Sequence, residues 1–176
     1  MDLSLENIYK SWFLFRRGKR KTAELEEFSY YLENNLSRLE QELKSGVYRH
    51  GGYRVFAVTD NKRREIKISS IKDRVVHRLV YEYLKSIYDQ TFIFDVWSCR
   101  EDKGLVGAVN RTQEFLRRYA DGYVWRADVK KFFDSVNQAT LWRIIKRKIK
   151  DSQALNLIQE IIFRYFPQHE RERERE

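Results

Sequence analysis

With 176 residues, 42% of them hydrophobic and 15% aromatic, the chain can fill the core of one domain or slightly more, which excludes a disordered polymer. One proline, seven glycines and the single Cys99 exclude collagen-like, proline-rich, disulfide-scaffold and multi-cysteine zinc classes, and a lone thiol fits a reducing, cytoplasmic compartment. Lys and Arg number 35 against 26 Asp and Glu, and this formal +9 attracts polyanions, nucleic acid above all, through counterion release.

Residues 5–15 carry Leu5, Ile8, Tyr9, Trp12, Phe13 and Phe15, the spacing of a short amphipathic helix. Arg16, Arg17, Lys19, Arg20 and Lys21 follow as a basic cluster broken by Gly18, suited equally to gripping phosphates and to a solvated linker. Thr22 predicts an N-cap, with Glu24, Glu26 and Glu27 in a first turn that favours anions. From there Leu25, Phe28, Leu32, Leu36, Leu39 and Leu43 form one stripe, read as core packing rather than a dimer zipper, up to a stop at Gly46. Residues 53–59 and 64–69 predict a β-hairpin around Asp60-Asn61, with Ile66 and Ile68 alternating with Glu65 and Lys67. Its tip and second strand hold Lys62, Arg63 and Arg64.

Helices are expected at 73–90, 105–119, 138–150 and 152–166, an irregular connection at 91–104, and one strand at 123–129 rich in aromatic and β-branched residues. Lys146, Arg147, Lys148 and Lys150 make a second basic cluster. This succession gives an α+β fold, mostly helical with little strand. No apolar run approaches the roughly 18 residues of a membrane span, and MDLSLENIYK is too polar for a signal peptide. Residues 170–176, ERERERE, read as a solvated, disordered tail.

The segment YVWRADVKKFFDSV, residues 123–136, carries the candidate chemistry. A strand delivering Asp128 near its end holds a carboxylate rigidly where a hard divalent cation, completed by water and phosphate oxygens, is usually bound. Taken alone, such an Asp serves as well for an N-cap or a salt bridge. Three ordered segments add context. They are REIKISSIKDRVVH from Arg64 to His77; FIFDVWSCR from Phe92 to Arg100, continued by Lys103-Gly104 and Ala108-Val109; and RADVKKFFDSV from Arg126 to Val136. Together they resemble bacterial reverse transcriptases of the group II intron, retron and diversity-generating retroelement type, over about residues 5 to 166. Glu6-Asn7, the RRGKRK cluster and Tyr48-Arg49-His50-Gly51 are similar to the same group.

The resemblance implies the fingers and partial palm of a right-hand polymerase: helices and fingers over 1–122, the start of the palm over 123–166 and a charged tail over 167–176. It implies RNA-directed DNA polymerisation with Mg²⁺, dNTP, RNA template and DNA primer, and an associated structured RNA as a further partner. By the same resemblance Asp128 is the catalytic metal ligand, with the Val129 carbonyl in the shell. The Lys131 and Phe132 amides face the triphosphate. Phe133 lies under the deoxyribose and leaves no room for a 2′-hydroxyl. Arg64 contacts the triphosphate, with Lys62 beside it, and Arg74, Arg100 and Lys103 position template backbone or the loop itself. His77 is expected to be structural and Cys99 a small buried residue.

The family's aromatic-x-Asp-Asp hairpin does not occur, and no Asp-Asp pair stands anywhere in the sequence. The primer grip, the thumb and the rest of the palm are likewise missing, so this chain alone is expected not to polymerise. Alternating Glu and Arg is what a GA dinucleotide repeat encodes, which suggests a reading frame cut or slipped there; the other reading is a genuine tail on a fragment that works with a partner chain. Strand 123–129 would then lack neighbours and leave an aggregation-prone edge. Two further readings remain open: a non-catalytic RNA- or DNA-binding module with the same fold, and an interaction protein whose basic helices dock acidic partners.

Overall fold

A computed structural model describes residues 1–59 and 63–164, the side chains of Arg64 and Asp134 excepted. It is mixed α+β and mostly helical. The helices are α1 (Leu5–Arg16), α2 (Ala23–Tyr30), α3 (Leu32–Lys44), α4 (Ile71–Tyr88), α5 (Leu105–Arg118), α6 (Phe132–Ser135), α7 (Gln138–Lys148) and α8 (Ser152–Arg164). A 3-10 turn, Asp89–Thr91, follows α4. Among the described residues the sheet is one antiparallel pair, β1 (Arg54–Thr59) with β2 (Arg63–Ile68). No helix of the described residues is long and apolar enough to cross a membrane. Two compact units result: Met1–Tyr83 together with the segment from Asn137 onward, and Leu84–Val136.

In the first unit the caps that the sequence predicts are formed. The Thr22 hydroxyl accepts from the Leu25 amide at 3.3 Å, and Gly46, at φ +72°, ends α3. The single stripe expected from 22 to 46 is broken once. Tyr31 leaves helical geometry (φ −101°, ψ 29°), so α2 and α3 are separate helices. The Asn35 side-chain amide donates to the freed Phe28 carbonyl at 3.1 Å, which makes the break affordable in polar terms. Leu25 on one side of it, and Leu36, Leu39 and Leu43 on the other, are all buried. They pack with Ile8 and Trp12 of α1, and the Trp12 ring stacks on Phe28 at 5.1 Å. Ile145 and Ile149 with Ala154, Leu157 and Ile158 bury the facing sides of α7 and α8. The chain's first amino group pairs with Asp151, whose carboxylate also caps α8 by accepting from the Ala154 amide at 2.9 Å.

The hairpin register pairs Arg54 with Ile68, Phe56 with Ile66 and Val58 with Arg64. Every residue of β1 is exposed, so the alternation expected of a half-buried strand buries neither face. At the hairpin's base the Arg54 guanidinium pairs with Glu24 at 2.6 Å. The tip, with Lys62, lies outside the described residues.

A buried polar cluster fastens the segment before this hairpin to α4. Asp73, in the first turn of α4, has a fully buried side chain. Its carboxylate accepts from the Tyr48 hydroxyl at 2.7 Å, the Ser70 hydroxyl at 2.7 Å and the Gly51 amide at 3.2 Å. Ser70 in turn accepts from the Asp73 amide, capping α4. Burial pushes the Asp73 carboxyl up, but the Tyr48 and Ser70 hydrogen bonds, the charge of His50 and the Gly51 amide together hold it below the usual carboxylate range. Burial, then the bond to Asp73, raises the Tyr48 phenol far above its ordinary value.

His50 continues the cluster. Its Nδ1 lies 2.6 Å from the Gly51 carbonyl, which can only accept, so Nδ1 carries a proton. Its Nε2 lies 2.9 Å from His77 Nε2, and the two rings stack 5.0 Å apart. Of these two ring nitrogens one donates and the other accepts, as the tautomers dictate. The His50 amide donates to Glu160 of α8 at 3.1 Å. His77, expected to be structural, meets His50 from α4.

Residues 84–136 behave differently. No described residue of this second unit is buried. The strand expected at 123–129 does not form: these residues are irregular and exposed, Trp125 to 89%. A strand needs a neighbour to take up its amides and carbonyls, and none of the described residues pairs with this one. β-propensity without a partner gives a hydrated, irregular chain. Cys99 is corrected as well: it is exposed, at φ 59°, in the loop before α5.

Two outcomes are expected in urea and thermal melts of the whole chain. Tyr48→Phe leaves one Asp73 oxygen short of a donor and lowers stability by about 1–3 kcal/mol. Gly51→Ala is at least as costly, since its new methyl would lie 2.9 Å from the Asp73 carboxylate. The pH dependence has a defined window. Burial first, then His50 and Arg74, bring the His77 imidazole down from 6.5 to about 4. The unfolded chain takes up that proton and the folded chain does not, so stability is full above pH 6.5 and falls as pH drops from 6.5 to about 4. The His77→Gln melt series should be flat across that window and lose stability only below it, where Asp73 protonates.

Candidate functional site

In the first unit, the register places Arg64 opposite Val58, near the hairpin end. Arg74, on α4, is already engaged. Its guanidinium lies 3.7 Å from Glu24, donates to the Ser70 carbonyl at 3.4 Å and covers the Phe15 ring at 5.4 Å.

The second unit carries the remaining sequence-designated residues. Arg100 is the organiser of the loop after α4. It pairs with both Asp89 oxygens, at 2.8 and 3.3 Å, and reaches the Asp89, Ile93 and Val96 carbonyls. The Arg100 hydrogen bond holds the Asp89 carboxyl below its ordinary range. One side chain thus satisfies several loop carbonyls that have no ladder to join. Lys103 donates to the Phe94 carbonyl at 2.9 Å, with its ammonium 3.5 Å from the Phe94 ring centre and 4.2 Å from that of Trp97. The Trp97 ring is also why α5 has a glycine at 107: a Cβ there would lie 2.5 Å from it. Arg111 of α5 completes the arrangement through Asp95 at 3.0 Å and Glu114 at 2.9 Å, and its hydrogen bond lowers the Asp95 carboxyl.

Asp128 stands in the irregular stretch, exposed, followed by Val129, which is also exposed. Lys131 adopts the left-handed conformation, φ 51° and ψ 44°, as the N-cap of the one-turn helix α6. That geometry is uncommon for a side-chain-bearing residue and costs on the order of 1 kcal/mol. It turns the chain sharply before Phe132 and Phe133, whose rings meet edge to face at 5.4 Å with Phe133 81% exposed. The exposed Asp128 carboxylate and the backbone carbonyl that follows are hard oxygen donors of the kind magnesium takes. Among the described residues no group of three His, Cys, Asp or Glu is placed to hold a metal ion. The donors present therefore fit one edge of a magnesium shell and not the whole of it.

Sequence reasoning missed the partners that commit Arg100, Lys103 and Arg111 to the loop. For Arg100, Asp89 already has Lys85 in helical register four residues earlier, so nothing local points to a partner eleven residues on. For Lys103, the pairing with Phe94 and Trp97 depends on a loop conformation that no periodicity encodes.

No protein-family model matches the chain. It is 26% identical over 133 residues to the group II intron-encoded protein LtrA of Lactococcus lactis subsp. cremoris, which covers 73% of this chain and 22% of that protein. The LtrA of strain MG1363 matches to the same extent. It is also 25% identical over 128 residues to protein YkfC of Escherichia coli K12, covering 70% of this chain and 34% of that one. The chain spans about a fifth to a third of the length of these curated relatives. Over most of its own length, then, it has a distant similarity to a group II intron-encoded protein.

Proposed function

We propose that this chain is the fingers and first palm segment of an RNA-directed DNA polymerase of the group II intron and retroelement type. The observation that carries the reading is the order of three motifs, around Arg64, Arg100 and Asp128, inside a chain distantly similar to a group II intron-encoded protein over 133 residues.

In this reading Asp128 and the Val129 carbonyl hold Mg²⁺, which when bound supplies the positive charge that draws attacking and leaving oxygens together. Lys131 and Phe132 present backbone amides to the triphosphate. The Phe133 ring fills the space a 2′-hydroxyl would need and so selects deoxynucleotides by exclusion. Arg64 and Lys62 supply positive charge to the phosphates. Arg74 is held from the protein side by Glu24 and Ser70, and Arg100 and Lys103 fix the loop that would border the template. The remaining carboxylates, the primer and the RNA template belong to the whole polymerase, so no polymerisation step is assigned to this chain by itself.

A second reading, a non-catalytic RNA- or DNA-binding module, is favoured by one observation: residues 123–129 stay irregular and exposed around Asp128.

Primer extension by the product of the complete reading frame decides between them. Asp128→Asn is expected to lower dNTP incorporation by about 10³-fold or more while RNA binding persists. Phe133→Ala is expected to admit ribonucleotides that the parent excludes. Template-bound product that never extends a primer with Mg²⁺, and whose binding ignores EDTA, identifies the module instead.

A further inference from the structure

The basic cluster on α7 takes no part in the reading above. Across 138–150 there are five cations, Arg143, Lys146, Arg147, Lys148 and Lys150, and no acidic residue. Helices α3, α4 and α8 of the first unit pair cations locally, as in Arg38–Glu42, Lys44–Glu40, Arg78–Glu82 and Arg164–Glu160. Arg143, Arg147 and Lys150 have no carboxylate partner among the described residues, and with Lys146 all are exposed.

Their placement is directional. At 3.6 residues per turn, Arg143, Lys146 and Arg147 fall within an arc of about 100°. Ile145 points the other way and is buried. Lys150 follows directly after the C-cap, Ile149, which is also buried. A helix C-terminus favours cations, and that accounts for Lys146, Arg147 and Lys148 in the last turn. It does not account for Arg143, one turn earlier. There Arg143 with Lys146 and Arg143 with Arg147 are like-charge neighbours at i,i+3 and i,i+4, each destabilising in isolation. A polyanion laid along the face relieves that repulsion.

We propose that this face of α7, Arg143, Lys146 and Arg147 continued by Lys150, grips the phosphate backbone of a double-helical nucleic acid. A duplex fits better than a single strand. Single-strand grooves interleave cations with free aromatic faces on which bases stack. The aromatic ring of α7, Trp142, is instead turned edge to face against Phe163 of α8 at 6.5 Å, with the Lys146 ammonium 5.7 Å above it. The i,i+4 rise of about 6 Å gives successive guanidinium and ammonium groups a spacing commensurate with neighbouring phosphates. Base edges are not read, so the contact is one of charge and shape.

The test is binding of the whole chain to a 20-base-pair RNA hairpin, and to the DNA hairpin of the same sequence, by fluorescence anisotropy across a salt series in EDTA. Replacing Arg143, Lys146 and Arg147 by Gln is expected to make the slope of log K against log salt shallower by about 2–3 and to weaken binding about ten-fold or more. Arg143→Lys with Arg147→Lys should bind as the parent does. If the triple variant does not keep its helical circular dichroism, Arg147→Gln alone should lower the slope by about 1. The tighter hairpin identifies whether RNA or DNA is the duplex held. An unchanged slope overturns the proposal. So does an equal loss against polyglutamate or phosphatidylserine vesicles, which marks a general cationic patch. Asp128→Asn should leave this binding intact, and a loss there would assign the binding to the polymerase site instead.

Discussion

The buried Asp73 carboxylate is the constraint on which the first unit depends. A charge in that position is tolerated because three donors reach it: Tyr48 from beyond the end of α3, Ser70 from the cap of α4, and the Gly51 amide. Tyr48 and Gly51 belong to the segment before the hairpin and Ser70 to the start of α4, so satisfying one carboxylate ties those two stretches of chain together. His50 extends the same network to His77 and, through its amide, to Glu160 of α8. The apolar core around Trp12 supplies most of the burial, but apolar contact alone is nondirectional. The polar cluster is what sets where the chain leaves for the hairpin.

The two units show what a core does for marginal sequence. Around Trp12, imperfect signals suffice: the stripe of α2 and α3 breaks at Tyr31 and still buries both halves. In Leu84–Val136 no described side chain is buried, and order comes from ion pairs and cation–ring contacts around Arg100, Lys103 and Arg111. Such exposed contacts are individually weak. The β-prone stretch Tyr123-Val124-Trp125 accordingly stays irregular for want of a neighbour among the described residues.

The cations divide by use in the same way. Arg54, Arg74, Arg100 and Lys103 are spent on the protein's own carboxylates, carbonyls and rings. The ridge on α7 is not, and its charge remains open to an outside polyanion. The proposed polymerase chemistry and the proposed duplex contact thus use different residues.

Much was legible in the residues themselves. Thr22 as a cap, Gly46 as a stop, the hairpin pattern and the helical spacing of α1, α4, α5, α7 and α8 are local signals, written within one or two turns of chain, and local geometry obeys them. The motif around Asp128, on which the proposed function rests, is read from residue types in order alone. What distance in the sequence conceals, only packing decided. The helix expected at 73–90 assigned Asp73 no role, and Tyr48 and Gly51 meet it only in the fold; Cys99, expected to be buried, is left outside by the loop. Residues 123–129 had the intrinsic preference of a strand, but a strand is a property of two segments, and none of the described residues pairs with them. Local propensity is written in the chain; whether a hydrogen-bonding group finds its partner is settled only when distant segments are brought together.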